Sequence, residues 1–439
     1  MNLDSLFKPK SIAVYGASAS DSRKLGNTLL KNAASGAGDV LAIHPEADTI
    51  DGIRAVARLD RPVDLALISV PGERVEVAVA DAAAAGTGAA IVLSSGFGET
   101  GAAGRAVQDR LVAIARAAGM RLVGPNCMGV VSHLGADRWL NGSYFWRIPT
   151  VAGGLSFVSQ SGAFGGMFFG HMRDRGLGLS RFLSVGNSAD VGINDALEWL
   201  GDDPQTKVIG MFVEGFGDGR RFVDIARRIT AKKPVIVLKA GKMAAGAKAA
   251  ASHTGSMAGN HAAVRAALRR AGVIEASDSE SFFDAMDAAA AGLRQKPGNI
   301  AVVTISGGPS VLAADACERA GFKLPALSAA TISRLRQLTP SFAALGNPID
   351  LTPQCPVANF IPAIEAIYAD PAIDGVVAIN CGLDLTPFGV GVARGVAATG
   401  KATAAFVLDA PGVEAEMAKA GVMRFASPER AVNALAAGV

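Results

Sequence analysis

Two residues that could do proton-transfer or nucleophilic chemistry stand out by where they sit. The stretch A-A-A-S-H-T-G-S-M-A-G (249–259) places His253, one of only five histidines, among small residues with no acid, base or aromatic beside it. A core imidazole is wedged among bulky neighbours, and a zinc-bound one has a second ligand nearby. His253 has neither, so it reads as a reactive imidazole on a loop. Imidazole titrates near neutrality and has two distinct nitrogens, which suits nucleophilic work once an acceptor orients it. Glu214 is the candidate acceptor. In F-V-E-G-F-G-D-G (212–219) it ends an apolar strand pattern, which puts its carboxylate at a carboxyl edge. The plainer alternatives are a surface or core-satisfied imidazole and a strand-end surface acid.

Two further stretches are suited to an anion. L-S-F-V-S-Q-S-G-A-F (155–164) and A-V-V-T-I-S-G-G-P-S (301–310) each run a buried strand straight into Ser and Gly and then a helix. Free backbone N–H groups and the helix dipole both point at a ligand there, although an ordinary strand-to-helix turn has the same pattern. Lys239 and Lys242 flank another strand end and could attract phosphate. The turn Y-G-A-S-A-S (15–20) invites a dinucleotide, but the next glycine after Gly16 is Gly26, and the second strand ends in His44-Pro45 where an NAD site carries an acid. A Rossmann-like sheet follows; nicotinamide chemistry does not. The G-x-x-x-x-G-K-[ST] phosphate loop is absent.

The elements that must hold these residues form three α/β blocks, because short apolar runs alternate with longer amphipathic ones. Strands are expected at 11–18, 40–45, 65–71, 89–97 and 121–126, then at 154–162, 208–214 and 234–241, then at 300–310, 375–380 and 404–409. Helices are expected over 74–85, 102–118 and 260–271, and from the second Ser/Gly turn to about 320. Segment 136–150 reads as an irregular connection, and Q-K-P-G (295–298) as a linker.

Composition narrows the function classes. The 439 residues suggest roughly two to four domains. A net charge of +3, without clustering, argues against nucleic acid or an anionic membrane as partner. Cys127, Cys317, Cys355 and Cys381 are widely spaced, so a reduced, cytoplasmic setting without a metal site is expected. No run of about 18 uncharged apolar residues occurs.

Taken together, S-I-A-V-Y-G-A-S (11–18), S-S-G-F-G-E-T-G (94–101), G-P-N-C-M-G-V (124–130), F-V-S-Q-S-G-A-F-G (157–165), F-V-E-G-F-G-D-G-R-R-F (212–222), A-A-S-H-T-G-S-M-A-G (250–259), I-S-G-G-P-S-V-L-A-A-D (305–315) and G-N-P-I-D-L-T (346–352) carry a resemblance. The chain resembles the nucleoside-diphosphate-forming acyl-CoA synthetases, relatives of succinyl-CoA synthetase and of ADP-forming acetate–CoA ligase. The resemblance implies a Rossmann-like CoA-binding domain (1–135) followed by two flavodoxin-like ligase domains (151–293 and 298–439). It implies a phosphohistidine at His253 oriented by Glu214. Phosphate would be held at the helix ends formed by Ser159, Gln160, Ser161 and Gly162 and by Gly307, Gly308, Pro309 and Ser310. CoA contacts fall on Gly16, Ala17, Ser18, Lys24, Pro71, Ser94, Gly96 and Phe97, with Asn126 near the thioester end.

The activity so implied is acid–CoA ligation driven by ATP or GTP, through acyl phosphate and phosphohistidine. Relatives that act alone carry an ATP-grasp module, and this sequence ends at Val439 without one. The expectation is therefore a separate ATP-grasp subunit holding the nucleotide and Mg, in a hetero-oligomer with dimerised alpha-type chains. Departures at S-V-P-G (69–72) and S-H-L-G-A-D-R-W-L-N (132–141) bear on which acid is used. The rival readings are a non-catalytic CoA-binding scaffold of the same fold and a CoA transferase or thioesterase using Glu214 covalently.

Overall fold

The computed structural model describes residues 3–36, 38–246, 248, 261–293 and 296–437. The His253 loop lies outside the described residues. The chain divides into two compact units, Met1–Ala276 and Ser277–Val439.

The first unit holds two sheets. One contains β1 (Ser11–Tyr15), β2 (Asp39–Ile43), β3 (Thr49–Ile50), β4 (Ile53–Val56), β5 (Leu65–Ile68), β6 (Ala89–Val92) and β7 (Arg121–Val123), in the order β3-β4-β2-β1-β5-β6-β7. Only β3, paired with β4, runs antiparallel. Apart from that edge strand this is the doubly wound order, whose direction of winding reverses between β1 and β5. The central strand Leu65–Ile68 is buried at all four positions, as a parallel strand covered on both faces must be.

The second sheet contains β8 (Gly129–Gly135), β9 (Arg138–Ser143), β10 (Ala152–Ser159), β11 (Leu179–Ser184), β12 (Val208–Val213), β13 (Val235–Lys239) and β14 (Ile274–Ala276), in the order β14-β13-β12-β10-β11-β8-β9. Its parallel part, read in chain order, is 2-1-3-4-5, the flavodoxin-like arrangement, with the reversal between β10 and β12. The hairpin β8–β9 extends it antiparallel to β11.

The second unit repeats that arrangement. β15 (Ile300–Thr304), β16 (Ile349–Asp350), β17 (Gly375–Cys381), β18 (Ala402–Leu408) and β19 (Met423–Phe425) lie parallel in the order β16-β15-β17-β18-β19. The helix Ser279–Ala290 belongs to this unit: Arg430 grips Asp284 with two bonds of 2.7 Å, and Ala288 joins the core around Ile300 and Leu435.

Segment 136–150 is not irregular throughout. Arg138–Ser143 is a strand whose Trp139 pairs with His133. The strand β11 escapes a reading by apolar runs because L-S-R-F-L-S carries a charge at its centre. That charge, Arg181, is buried against Asp203, with Nε 3.3 Å from Oδ2. β14, β16 and β19 have only two or three residues, too few to show a period.

Close backbone approach fixes the first turn. A Cβ on Gly16, at φ +103°, would lie 2.1 Å from the Ser69 carbonyl oxygen at the end of β5. Gly16→Ala should therefore lower the stability of the first unit by about 3 kcal/mol or more, through strain and overpacking. Denaturant unfolding followed by circular dichroism reads this; an unshifted midpoint would contradict it.

Candidate functional site

The first sheet's reversal point opens on a cavity of about 770 Å³ lined by Gly16, Ala17, Ser18, Lys24, Pro71 and Ser94. Three parts of the chain build it. Asn27, fully buried, staples the 16–18 turn: its Oδ1 accepts from the Ser18 amide at 2.8 Å and its Nδ2 donates to the Ser18 carbonyl at 2.9 Å. Ser94 Oγ donates to the Val70 carbonyl at 2.6 Å, tying β6's exit to β5's. Tyr144, which follows β9, closes another wall with its hydroxyl 2.6 Å from Ser69 Oγ.

This cavity is suited to a polyanion. The helices Leu25–Ala34 and Gly72–Ala84 both begin on it, each presenting first-turn amides. Lys24 and Arg74 line it, no acid does, and neither cation makes an ion pair among the described residues. Asn27, His44, Arg74 and Tyr144 were missed by motif reading.

Gly96, Phe97 and Asn126 are not among the lining residues. Phe97 is buried in the core with Leu111 and Leu122. Gly96 and Asn126 belong to a polar network that links the two sheets of this unit. The Gly96 amide donates to Glu99 Oε1 at 2.6 Å, and Asn187 Nδ2 donates to Glu99 Oε2 at 2.6 Å and to Gln108 Oε1 at 2.9 Å. Asn126 Nδ2 reaches Asn187 Oδ1 at 3.3 Å. Burial alone would raise the Glu99 carboxyl, but these donors outweigh it and hold it below its ordinary value.

The second reversal point, between β10 and β12, carries the predicted anion turn and Glu214 side by side. Ser159, the last residue of β10, uses its hydroxyl twice: it donates to the Ser161 carbonyl at 2.6 Å and accepts from the Ser161 amide at 3.1 Å. Ser161 caps the helix Gly162–Arg175 by accepting from the Phe164 amide. The amides of Gly162 and Ala163 then have no acceptor among the described residues.

Gln160 does something the motif did not suggest. Its Oε1 accepts from the amides of both Glu214 and Gly215, at 2.6 and 3.0 Å, while its own amide donates to the Phe212 carbonyl. It therefore clamps the exit of β12 to the turn after β10. Glu214 itself is buried, and its Oε2 has no hydrogen-bond partner among the described residues. A buried carboxylate oxygen left unpaired costs free energy, so it marks a place where a donor is expected.

Lys239 does not stand free for phosphate. Its Nζ donates to the Glu214 carbonyl at 2.8 Å and to the Ala240 carbonyl, and burial draws its ammonium below the ordinary lysine value against the opposing pull of Glu214. Lys242 likewise donates to the Ala276 carbonyl at 2.6 Å. A cavity of about 320 Å³ lined by Gln160, Asn187, Asn194 and Gly215 opens next to Glu214.

The second unit carries the same turn. Thr304 Oγ1 donates to the Ser306 carbonyl at 3.0 Å and accepts from its amide at 2.7 Å, reproducing the Ser159–Ser161 pattern at the end of β15. The helix Gly307–Arg319 follows, and the Gly307 and Gly308 amides have no acceptor among the described residues. Pro309 has no N–H to offer, and Ser310 Oγ donates to the Gly307 carbonyl at 2.7 Å. Among the other histidines, His261 Nε2 lies 2.9 Å from Glu275 Oε1, and His133 Nε2 donates to the Ala136 carbonyl.

Comparison with known proteins agrees with this architecture. The CoA binding domain family matches residues 10–133, the succinyl-CoA ligase like flavodoxin domain residues 152–289, and the ligase-CoA domain residues 300–423. The chain is 36% identical over 428 residues to the acetate–CoA ligase [ADP-forming] II subunit alpha of Pyrococcus furiosus, covering 95% of this chain and 92% of that one. It is 39% identical over 380 residues to acetate–CoA ligase [ADP-forming] I of Archaeoglobus fulgidus, covering 86% of this chain; the match spans 54% of that longer protein. The acetyl-coenzyme A synthetase 1 of Ca. Korarchaeum cryptofilum, solved with phosphate and ADP, superposes with a TM-score of 0.89 at 33% identity, covering 99% of this chain and 96% of that one. The chain belongs to the ADP-forming acetate–CoA ligase family of acyl-CoA synthetases.

Gln160→Leu should leave the amides of Glu214 and Gly215 without their acceptor and lower stability by about 2–6 kcal/mol, at roughly 1–3 kcal/mol per orphaned amide. Thermal unfolding checks this, and a melting temperature equal to wild type would remove Gln160 as the clamp. Burial pushes the Cys127 thiol up to about 12. Mass spectrometry of native protein after iodoacetamide at pH 8 should therefore find Cys127 unmodified; rapid labelling would contradict that.

Proposed function

We propose that this chain is the CoA-binding, phosphoryl-carrying subunit of an ADP-forming acid–CoA ligase. The observation that carries the reading is the buried, unpartnered Glu214 oxygen beside the open amides of Gly162 and Ala163. A carboxylate without a donor at a phosphate-favouring turn is what an arriving imidazole N–H would complete, and His253 is the proposed imidazole.

In the direction of thioester synthesis, the His253 nitrogen not bonded to Glu214 attacks the γ-phosphorus of ATP, and ADP leaves. Glu214 accepts from the other nitrogen and stabilises the charge the ring gains. A carboxylate oxygen of the acid then takes the phosphoryl group from the ring, giving acyl phosphate and free His253. The CoA thiolate attacks the acyl carbon, forming the thioester and releasing inorganic phosphate. Each step is reversible, because the phosphoramidate and the acyl phosphate both keep a high transfer potential.

The chain's own groups account for the binding. The Gly162 and Ala163 amides can each contribute roughly 1.5–3 kcal/mol to a charged phosphoryl oxygen, and the helix dipole about 0.3–2 kcal/mol more. The Gly307–Ser310 turn has the same chemistry and is proposed as the second phosphate-binding end. The 770 Å³ cavity is proposed to hold CoA, with Lys24, Arg74 and two helix ends facing its phosphates. Nucleotide and Mg are proposed to sit on a separate ATP-grasp subunit, as the naming of its relatives as alpha subunits suggests. The acid is a small carboxylate, the assembly a hetero-oligomer with dimerised alpha-type chains, and the setting cytoplasmic.

The Glu214→Gln variant should retain CoA binding but accept phosphate from acetyl phosphate roughly 10²–10⁴-fold more slowly. Equal rates of ³²P incorporation would remove Glu214 from the mechanism. With ATP, acid and CoA, the chain by itself should make no thioester until an ATP-grasp subunit is added. Full turnover without one would show that the partner is unnecessary.

A further inference from the structure

The opposite, amino-terminal edges of the first unit's two sheets enclose a second charged cavity, of about 370 Å³, that the ligase reading does not use. Lys8 and Lys10 approach it just ahead of β1, Arg138 begins β9, Arg181 comes from within β11, and Gln205 precedes β12. The carboxyl-edge features described above, Glu214 and the Ser18 turn, lie at the other ends of these strands.

The charge on this cavity is lopsided. Four cations line it and no acid does; among the described residues Asp203 pairs with two of them and Asp64 accepts from the Lys10 amide at 2.7 Å, so four minus two leaves +2. Asp203 is buried, 3.5 Å from Lys8 Nζ, and its Oδ2 also accepts from Thr206 Oγ1 at 2.9 Å. Lys10 and Arg138 make no ion pair or side-chain hydrogen bond among the described residues. Like charges gathered at one cavity repel, and a bound anion would relieve that repulsion.

The cations are also held in place before any ligand arrives. Trp199 stacks on Phe7 with ring centroids 4.2 Å apart, Lys8 Nζ lies 4.8 Å above the Trp199 ring, and the Arg181 guanidinium 5.8 Å from it. Arg181 is 1% exposed and fully engaged: it donates to the His133 and Ser180 carbonyls, and its Nε and Nη2 face the Asp203 carboxylate at 3.3 and 3.4 Å. The buried Gln205 Oε1 has no donor among the described residues. The cavity thus offers positive charge, with Lys10 and Arg138 unpaired among the described residues, and an acceptor oxygen on Gln205.

We propose that this cavity is a second anion site, which takes a small phosphate-bearing ligand of pyrophosphate or phosphomonoester type with at least two negative charges. Paired, forked donors match phosphate oxygens, and a protonated phosphate oxygen meets the acceptor need of Gln205.

The test is calorimetric titration of the full chain with pyrophosphate, in the presence of saturating CoA and at fixed ionic strength. Wild type should bind one pyrophosphate, and the double variant Lys10→Gln/Arg138→Gln should bind it about tenfold or more weakly, from the loss of two charged contacts. Both side chains are exposed, so the variant's melting temperature without anion should match wild type, and its CoA affinity should be unchanged. Unaltered pyrophosphate affinity in the double variant would overturn the proposal. So would its loss in Lys24→Gln, which would place the anion in the larger cavity, or equal affinity for citrate, which would make the site one for polycarboxylates. A chain that binds pyrophosphate as expected but fails to bind CoA would sink the ligase reading and leave this site standing.

Discussion

A hydroxyl at the end of a central strand, bonded to both backbone groups two residues on, sets the terms for the proposed phosphate chemistry. Ser159 does this for Ser161, and Thr304 for Ser306. The inner amide and carbonyl of each turn are satisfied locally, so the chain can enter a helix at once. The next two amides are left facing outward, where only an anion or water can meet them. The positions differ by 145 residues, yet the strand order, the clamp and the starting glycine are the same. The first sheet, Ser11–Val123, reaches a similar end by another route. There the clamp is the Asn27 side chain, and two helix ends, with Lys24 and Arg74, supply the positive field.

Glu214 is the costly part of the arrangement. A carboxylate shielded from water with one oxygen unpaired is unfavourable, and the surrounding groups hold it in place instead of satisfying it. Gln160 ties down its amide, and Lys239 ties down its carbonyl. The ammonium that could have neutralised it is spent on main-chain oxygens. That leaves the acid free for a donor delivered from elsewhere, at the price of some stability, a pattern expected where function and folding compete.

Much of this was legible in the sequence, and the misses have physical causes. Strands that run apolar into Ser and Gly announce both the sheet and the open helix end, so the turns at 159–162 and 307–310 and the strand-end acid could be read from local spacing. Contacts made across long separations could not. Gln160 meets Glu214 over 54 positions, and Tyr144 meets Ser69 over 75. Nothing near Tyr144 marks it as a cavity wall, since its own segment looked irregular. Asn27 sits inside a helix, where its amide reads as an ordinary polar residue. Arg181 disguised its strand because a buried charge breaks the apolar run, and only the partner Asp203 explains it. Gly96, Phe97 and Asn126, expected at CoA from the family resemblance, lie in or behind the loop network beside the cavity's Ser94.

The most direct measurement locates the covalent phosphate. Incubating the chain with acetyl phosphate, digesting it at alkaline pH and sequencing the phosphopeptides by mass spectrometry should yield one phosphoramidate, on the peptide spanning residues 249–259, absent from His253→Ala. Phosphate on a serine, on Glu214 or on another histidine, or labelling that survives in His253→Ala, would contradict the account.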